Sequence, residues 1–244
     1  MSNYLLRLSF LGTNYHGWQC QKNAVTVQKV LMDAITEAFG QCDNLHGCSR
    51  TDSGVHARDY AVSVCLDTHI AAEKFPQILN QILPNDIVIN SAEVVADDFH
   101  ARYSCVEKEY VYRILNAQTL DPFSFATTHH VRHKLDVDAM QKAAERFVGT
   151  HDFSAFAGSK CDIEDRVRTI SKAKVTREGD TVIFAVRGNG FLYNMVRIMV
   201  GTLLDVGRGR LGAEDIVGIL ESKNRERASA TAPAKGLCLW KVIY

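Results

Sequence analysis

Apolar positions along this chain switch between a period of two and a period of three to four. Tyr4 to Leu11 alternates and reads as a strand with one buried face. Residues 25 to 39 carry Val27, Val30, Leu31, Ala34, Ile35, Ala38 and Phe39 at the spacing that lays one apolar stripe along a helix. Thr26 is its candidate cap and Gly40 its stop. A short run from Asn44 to Cys48 fits a strand. From Tyr60 to Leu66, Val62, Val64 and Leu66 alternate with Ala61, Ser63 and Cys65, the pattern of a half-buried strand. Residues 71 to 83 predict a second helix with Phe75, Ile78, Leu79 and Ile82 on one face, ended by Pro84-Asn85-Asp86. Ile87 to Val95 predicts a strand. This order of strand, helix, strand, strand, helix, strand describes a ferredoxin-like half over residues 1–96.

Residues 97–134 read as a connecting segment with a strand from Glu109 to Asn116. Residues 135–244 read as a second α+β half. Val137, Met140, Ala144, Phe147 and Val148 mark a helix closed by Gly149. Val167–Arg177 and Thr181–Arg187 form a hairpin across Glu178-Gly179. A long helix runs from Phe191 to about Val206, a short one from Ala213 to Leu220, and a final strand from Leu237 to Ile243.

Composition adds little to this picture but removes several alternatives. In 244 residues, 46% hydrophobic content supports a sizeable core. No basic-then-apolar leader and no apolar run of bilayer length is present, so the expectation is a cytoplasmic protein without a membrane partner. Seven cysteines are scattered without a Cys-x-x-Cys pair, a spacing that suits neither a zinc site nor a disulfide framework. Lys plus Arg equals Asp plus Glu at 28 each, so any contact with nucleic acid must use local charge. Arg166, Arg168, Lys172, Lys174 and Arg177 form one basic cluster, and Arg208, Arg210, Lys223, Arg225 and Arg227 another. Either is equally a solvated face.

Candidate chemistry centres on Gly47-Cys48-Ser49-Arg50-Thr51-Asp52-Ser53-Gly54-Val55-His56-Ala57. Asp, Ser and Gly favour turns through side-chain bonds to backbone and through positive φ. The segment therefore places Arg50 and Asp52 on a tight loop at a sheet edge, either as an ordinary turn or as a reaction centre. Arg197 is the only charged residue between Arg187 and Asp205, within a helix otherwise apolar. A buried guanidinium needs a carboxylate, carbonyl oxygens or a path to solvent. Tyr110, Tyr112 and Ile114 share one face of a strand. His129, His130 and His133 cluster on a predicted loop and form a possible metal site.

Arg50-Thr51-Asp52-Ser53-Gly54-Val55-His56-Ala57 resembles the signature of the tRNA pseudouridine synthase A family. Three further segments resemble that family in order: Tyr15-His16-Gly17-Trp18-Gln19; Asp98 to Ser104 followed by Lys108 to Tyr112; and Phe191 to Gly201. Gly236-Leu237 resembles its closing strand. Ser49 and Ser53 stand where Gly and Ala are commoner in relatives. The resemblance implies an α+β fold of two ferredoxin-like halves in one mainly antiparallel sheet with a central cleft. It implies isomerisation of uridine to pseudouridine at positions 38, 39 and 40 of the tRNA anticodon stem-loop. Asp52 matches the nucleophile, Arg197 the basic residue paired with it, Tyr110 the ring that stacks on the target base, Arg50 a phosphate contact and Leu237 an apolar pocket residue. It further implies a homodimer that binds tRNA and needs no metal or other cofactor. Two rivals remain. Asp52-Ser53-Gly54 is the aspartic-protease tripeptide, but those enzymes need two such carboxylates and this chain has one copy. The other is a non-catalytic RNA-binding module, in which Asp52 is dispensable.

Overall fold

The computed structural model describes residues 1–42 and 44–244. In chain order its elements are strand β1 (Ser2–Phe10), helix α1 (Val27–Phe39), β2 (Leu45–Gly47), β3 (His56–Leu66), α2 (Phe75–Ile82), β4 (Ile87–Val94), β5 (Glu107–Leu115), β6 (His129–His130), α3 (Val137–Glu145), β7 (Gly149–Asp152), β8 (Val167–Glu178), β9 (Thr181–Gly188), α4 (Met195–Gly207), α5 (Ala213–Ser222) and β10 (Leu237–Ile243). This is an α+β fold. Its chain forms two compact units, Met1–Val106 with Cys238–Tyr244, and Glu107–Leu237.

In the first unit β1 lies between β4 and β3, antiparallel to both, and β2 pairs antiparallel with β3. The resulting order β4-β1-β3-β2 is that of a ferredoxin-like sheet. β10 adds in parallel to the start of β3, Cys238 opposite His56 and Leu239 opposite Ala57. The Thr26 side chain accepts from Lys29 N and starts α1, as its type and position predict. Leu31 and Ile35 of α1 are fully buried, which contributes about 1.5–3 kcal/mol each. Phe75 at the start of α2 sits 4.9 Å from the Tyr4 ring of β1 and 4.5 Å from Phe39 of α1. One aromatic thus ties both helices to the sheet.

The second unit has the order β5-β9-β8-β7, antiparallel throughout, with the short β6 parallel to the end of β5. Gly179, at φ 57°, closes the β8–β9 hairpin. Buried Glu109 of β5 faces Arg187 of β9 and accepts from its Nε at 3.2 Å and its NH2 at 2.6 Å. Asp136 caps α3 by accepting from Ala139 N at 2.9 Å. All of α4 is buried except Arg197 and Asp205.

Three expectations change here. The long helix begins at Met195 rather than Phe191, because Asn194 takes a left-handed conformation at φ 59°. His129 and His130 are a two-residue strand on β5, not a loop. Gly149 ends no helix turn directly. It sits at φ 120° and opens the edge strand β7, which period-two reading misses because only four residues pair.

Candidate active site

The loop between β2 and β3 carries Arg50, Thr51 and Asp52, and backbone bonds hold it at both ends. Cys48 N donates to Ala61 O at 2.9 Å, and Val55 N to Asp52 O at 3.1 Å. Gly54, at φ 78°, supplies the positive φ that the turn needs. Asp52 is half-buried and Arg50 is exposed. Thr51 is buried, and its hydroxyl is the one buried side-chain oxygen or nitrogen without a hydrogen-bond partner among the described residues.

A second segment clamps this loop from outside. Trp18 N donates to Thr51 O at 3.2 Å, while Gly54 N and the Ser53 hydroxyl both donate to Tyr15 O at 3.3 Å. Between them Gly17 adopts φ 81°, and a methyl group there meets Thr51 O at 2.4 Å. A methyl on Gly12 meets Val55 O at 2.0 Å. These two glycines let backbone pass against backbone at the place where Asp52 is set. Tyr60 stacks on Trp18 with ring centres 4.3 Å apart, and its hydroxyl donates to Ser49 O. Gly12 N donates to His56 Nδ1 at 2.9 Å, which places that ring's proton on Nε2 when it is neutral. The Tyr15 hydroxyl donates to Asp86 at 2.5 Å. Burial first, and that bond second, hold it far above the ordinary tyrosine range. Every named atom of this clamp belongs to the first unit.

The second unit carries Tyr110, Arg197 and Leu237. Tyr110 lies on β5, 6% exposed, with the Phe191 ring edge-on at 5.1 Å. Arg197 donates from Nε to Ala232 O and from NH1 to Asn194 Oδ1, each at 2.8 Å. These two bonds fix the plane of the guanidinium. The left-handed turn at Asn194 thus has a use, since it aims an amide oxygen at Arg197. Gly201 lets the following segment cross α4 closely, for a methyl there meets Ala230 O at 1.8 Å. That crossing delivers Ala232 to Arg197. Tyr112, with its hydroxyl on Pro233 O at 2.7 Å, is held above the ordinary tyrosine range by burial, while the Arg197 charge pulls the other way. A methyl on Gly236 meets the Tyr112 ring at 2.6 Å, so Gly236 permits the approach that seats buried Leu237 at the start of β10.

Sequence reasoning assigns no positioning role to Gly12, His56, Tyr60 or Asn194. A signal existed for the clamp in Tyr15-His16-Gly17-Trp18, where a glycine precedes a large aromatic. Among the described residues no group of three or more His, Cys, Asp and Glu side chains is placed to hold a metal ion. His130 Nε2 lies 2.8 Å from Ala117 O. No helix among the described residues is long and apolar enough to cross a membrane.

The structure thus places a half-buried carboxylate, Asp52, on a clamped turn before β3, two residues from the exposed guanidinium of Arg50. Residues 8–104 and 143–244 match the family described as tRNA pseudouridine synthase. A tRNA pseudouridine synthase A of Acetivibrio thermocellus is 48% identical over all of both chains, and one of Thermoanaerobacter pseudethanolicus 46% identical over all of both. A solved structure of an H/ACA ribonucleoprotein bound to a substrate RNA containing 2'-deoxyuridine is 14% identical, with a TM-score of 0.38, and covers 81% of this chain and 44% of its own. This chain belongs to the tRNA pseudouridine synthase family.

Proposed function

We propose that the protein is an isomerase that converts uridine to pseudouridine in tRNA, at positions 38, 39 and 40 of the anticodon stem-loop. The observation that carries this reading is the Asp52 loop, whose backbone is fixed by two close-packed glycines, by bonds that it donates to Tyr15 O and by the bond that Trp18 N donates to Thr51 O. A nucleophile gains most when its position is settled before the substrate arrives. Family membership supports the reaction, and 48% identity over the full length of a tRNA pseudouridine synthase A supports tRNA as substrate.

The reaction breaks the bond from ribose C1′ to N1 of uracil and joins C1′ to C5. The C5 proton is lost and N1 gains one, so substrate and product are isomers and no redox equivalent is consumed. The target base leaves the stack, and Tyr110 replaces part of the lost stacking, on the order of 1–3 kcal/mol. The edge-on Phe191 ring fixes the plane that Tyr110 offers. Asp52 acts as the carboxylate nucleophile, and Arg197 is the basic residue that pairs with it. Arg50 follows the extruded nucleotide and takes its phosphate through a forked donor. Leu237 lines the apolar pocket. The protein acts in the cytoplasm as a homodimer.

The test treats tRNA transcripts with purified protein and maps pseudouridine by carbodiimide-dependent reverse-transcription stops. Stops at 38, 39 and 40 are expected. Stops confined to other positions would overturn the target, and none on any tRNA would overturn the activity.

A further inference from the structure

The segment Asp98 to Ser104 has no part in the chemistry above, yet it is tightly built. Asn3 donates from Nδ2 to both Ala96 O and Phe99 O at 2.9 Å. Ala101 N donates to the Ser63 hydroxyl at 3.1 Å, and the Tyr244 hydroxyl to Ala101 O at 2.7 Å. Ala101 itself is fully buried. Side chains from β1, β3 and the end of the chain therefore anchor one short turn.

What the turn presents is a stack of rings in solvent. His100 Nδ1 accepts from Arg102 N at 3.1 Å and from Tyr103 N at 3.4 Å, which locks the imidazole in place. That ring stacks on His46 of β2 at 4.5 Å and lies 4.4 Å from Tyr103, inclined by 36°. The Arg102 guanidinium carbon sits 5.8 Å from the Tyr103 ring centre. Tyr103 is 77% exposed. A large aromatic so exposed on so fixed a turn is unusual for a surface residue that only faces water. Burial first, and the neighbouring His46 second, hold His100 below the ordinary histidine range.

We propose that His46, His100 and Tyr103 form a stacking platform for a second base of the substrate RNA, outside the reaction pocket, with Arg102 placed for the adjoining phosphate. Every base offers a π face, and an aromatic beside an arginine is the combination that holds single-stranded nucleic acid. The platform is joined to the reaction loop through β2. Arg50 lies four positions after His46, so their Cα atoms are at most roughly 14 Å apart. A base held on Tyr103 would thereby anchor the RNA within reach of the Asp52 loop and add to its affinity without touching the target uridine. This inference rests on the reading of the protein as an enzyme acting on RNA.

The test compares Tyr103→Ala, Tyr103→Phe and Tyr103→Leu with wild type. Dissociation constants for tRNA, single-turnover rates at saturating protein, and sedimentation are measured for each. Tyr103→Ala and Tyr103→Leu should weaken tRNA binding about 5- to 150-fold, the loss of one base–aromatic stack, with the saturated rate within about twofold of wild type. Tyr103→Phe keeps the ring and should bind like wild type. Equal binding by all four proteins would overturn the platform, and so would an equal loss in Tyr103→Phe and Tyr103→Ala. Altered sedimentation in Tyr103→Ala would instead make this face a contact between copies. Wild type that binds tRNA but converts no uridine would sink the enzymatic reading and this inference with it. Normal conversion with Tyr103→Ala binding unchanged would sink the inference alone.

Discussion

Gly17→Ala tests whether the Tyr15–Trp18 clamp sets the reaction centre. Two effects add at this residue. Gly17 sits at φ 81°, and a side chain in that region costs roughly 1–2 kcal/mol. The added methyl also meets Thr51 O at 2.4 Å, and it comes within 3.1 Å of the Asp52 carbonyl carbon and 3.2 Å of Ser53 N. Ordinary contact begins near 3.4 Å, so the backbone carrying Asp52 must retreat by about 1 Å. Misplacement of a reacting group by about 1 Å costs on the order of 100-fold in rate. The expected result is a fall in kcat of about 100-fold, with the dissociation constant for tRNA changed by less than threefold. The assay is tritium release from tRNA labelled at uracil C5. Gly40→Ala is the control, for Gly40 has φ 94° with nothing within 4 Å of an added methyl. It should lose stability by roughly 1–2 kcal/mol and keep its rate. Wild-type kcat in a folded Gly17→Ala protein would refute the clamp. So would an equal loss of rate in Gly40→Ala.

Other outcomes follow from the same geometry. Tyr110→Phe should stay within about threefold of wild type in kcat/KM, because the ring carries the stacking, whereas Tyr110→Leu should lose about 5- to 150-fold. A loss in Tyr110→Phe as large as in Tyr110→Leu would show that the hydroxyl is the working group. His100 has its folded pKa lowered by burial, so the unfolded chain takes up its proton first as pH falls. The stability it contributes is complete above its usual value near 6.5 and is lost as pH falls through the lower, folded value. Amide hydrogen exchange at Arg102 and Tyr103, corrected for intrinsic rates, should therefore speed up between pH 7.5 and pH 5.5. Unchanged protection over that interval would mean that His100 Nδ1 does not hold the turn.

Sequence periodicity exposed the parts of the fold that a single face dictates. Helix α1 was legible because Val27, Leu31, Ala34 and Ile35 form one buried stripe behind a threonine cap. Strand β3 was legible only from Tyr60. Its first residues, His56 and Ala57, are buried together, and Arg58 and Asp59 are not, so no alternation marks them. Asp59 is instead fixed by Arg7, whose NH1 reaches both its oxygens at 3.0 Å, a contact made across 52 residues. The α4 start was misplaced because Phe191 and Leu192 continue the apolar run while Asn194 breaks the backbone. At the site, the turn chemistry of Asp52-Ser53-Gly54 could be read directly. The roles of Gly12 and Gly17 could not, since a glycine needed for close approach looks in sequence like any other glycine. Asn194 and Ala232, which orient Arg197, lie 3 and 35 residues from it. Only the folded chain brings the second of these to the guanidinium.

Asp52 is the residue on which the proposed reaction depends. Asp52→Asn keeps the size of the side chain and removes the charge and the nucleophilic oxygen. With tRNA tritiated at uracil C5, wild type should release label to water, while the folded Asp52→Asn protein should release none above background and still bind the RNA. Equal release by both proteins would contradict the assignment of Asp52 as the group that opens the reaction.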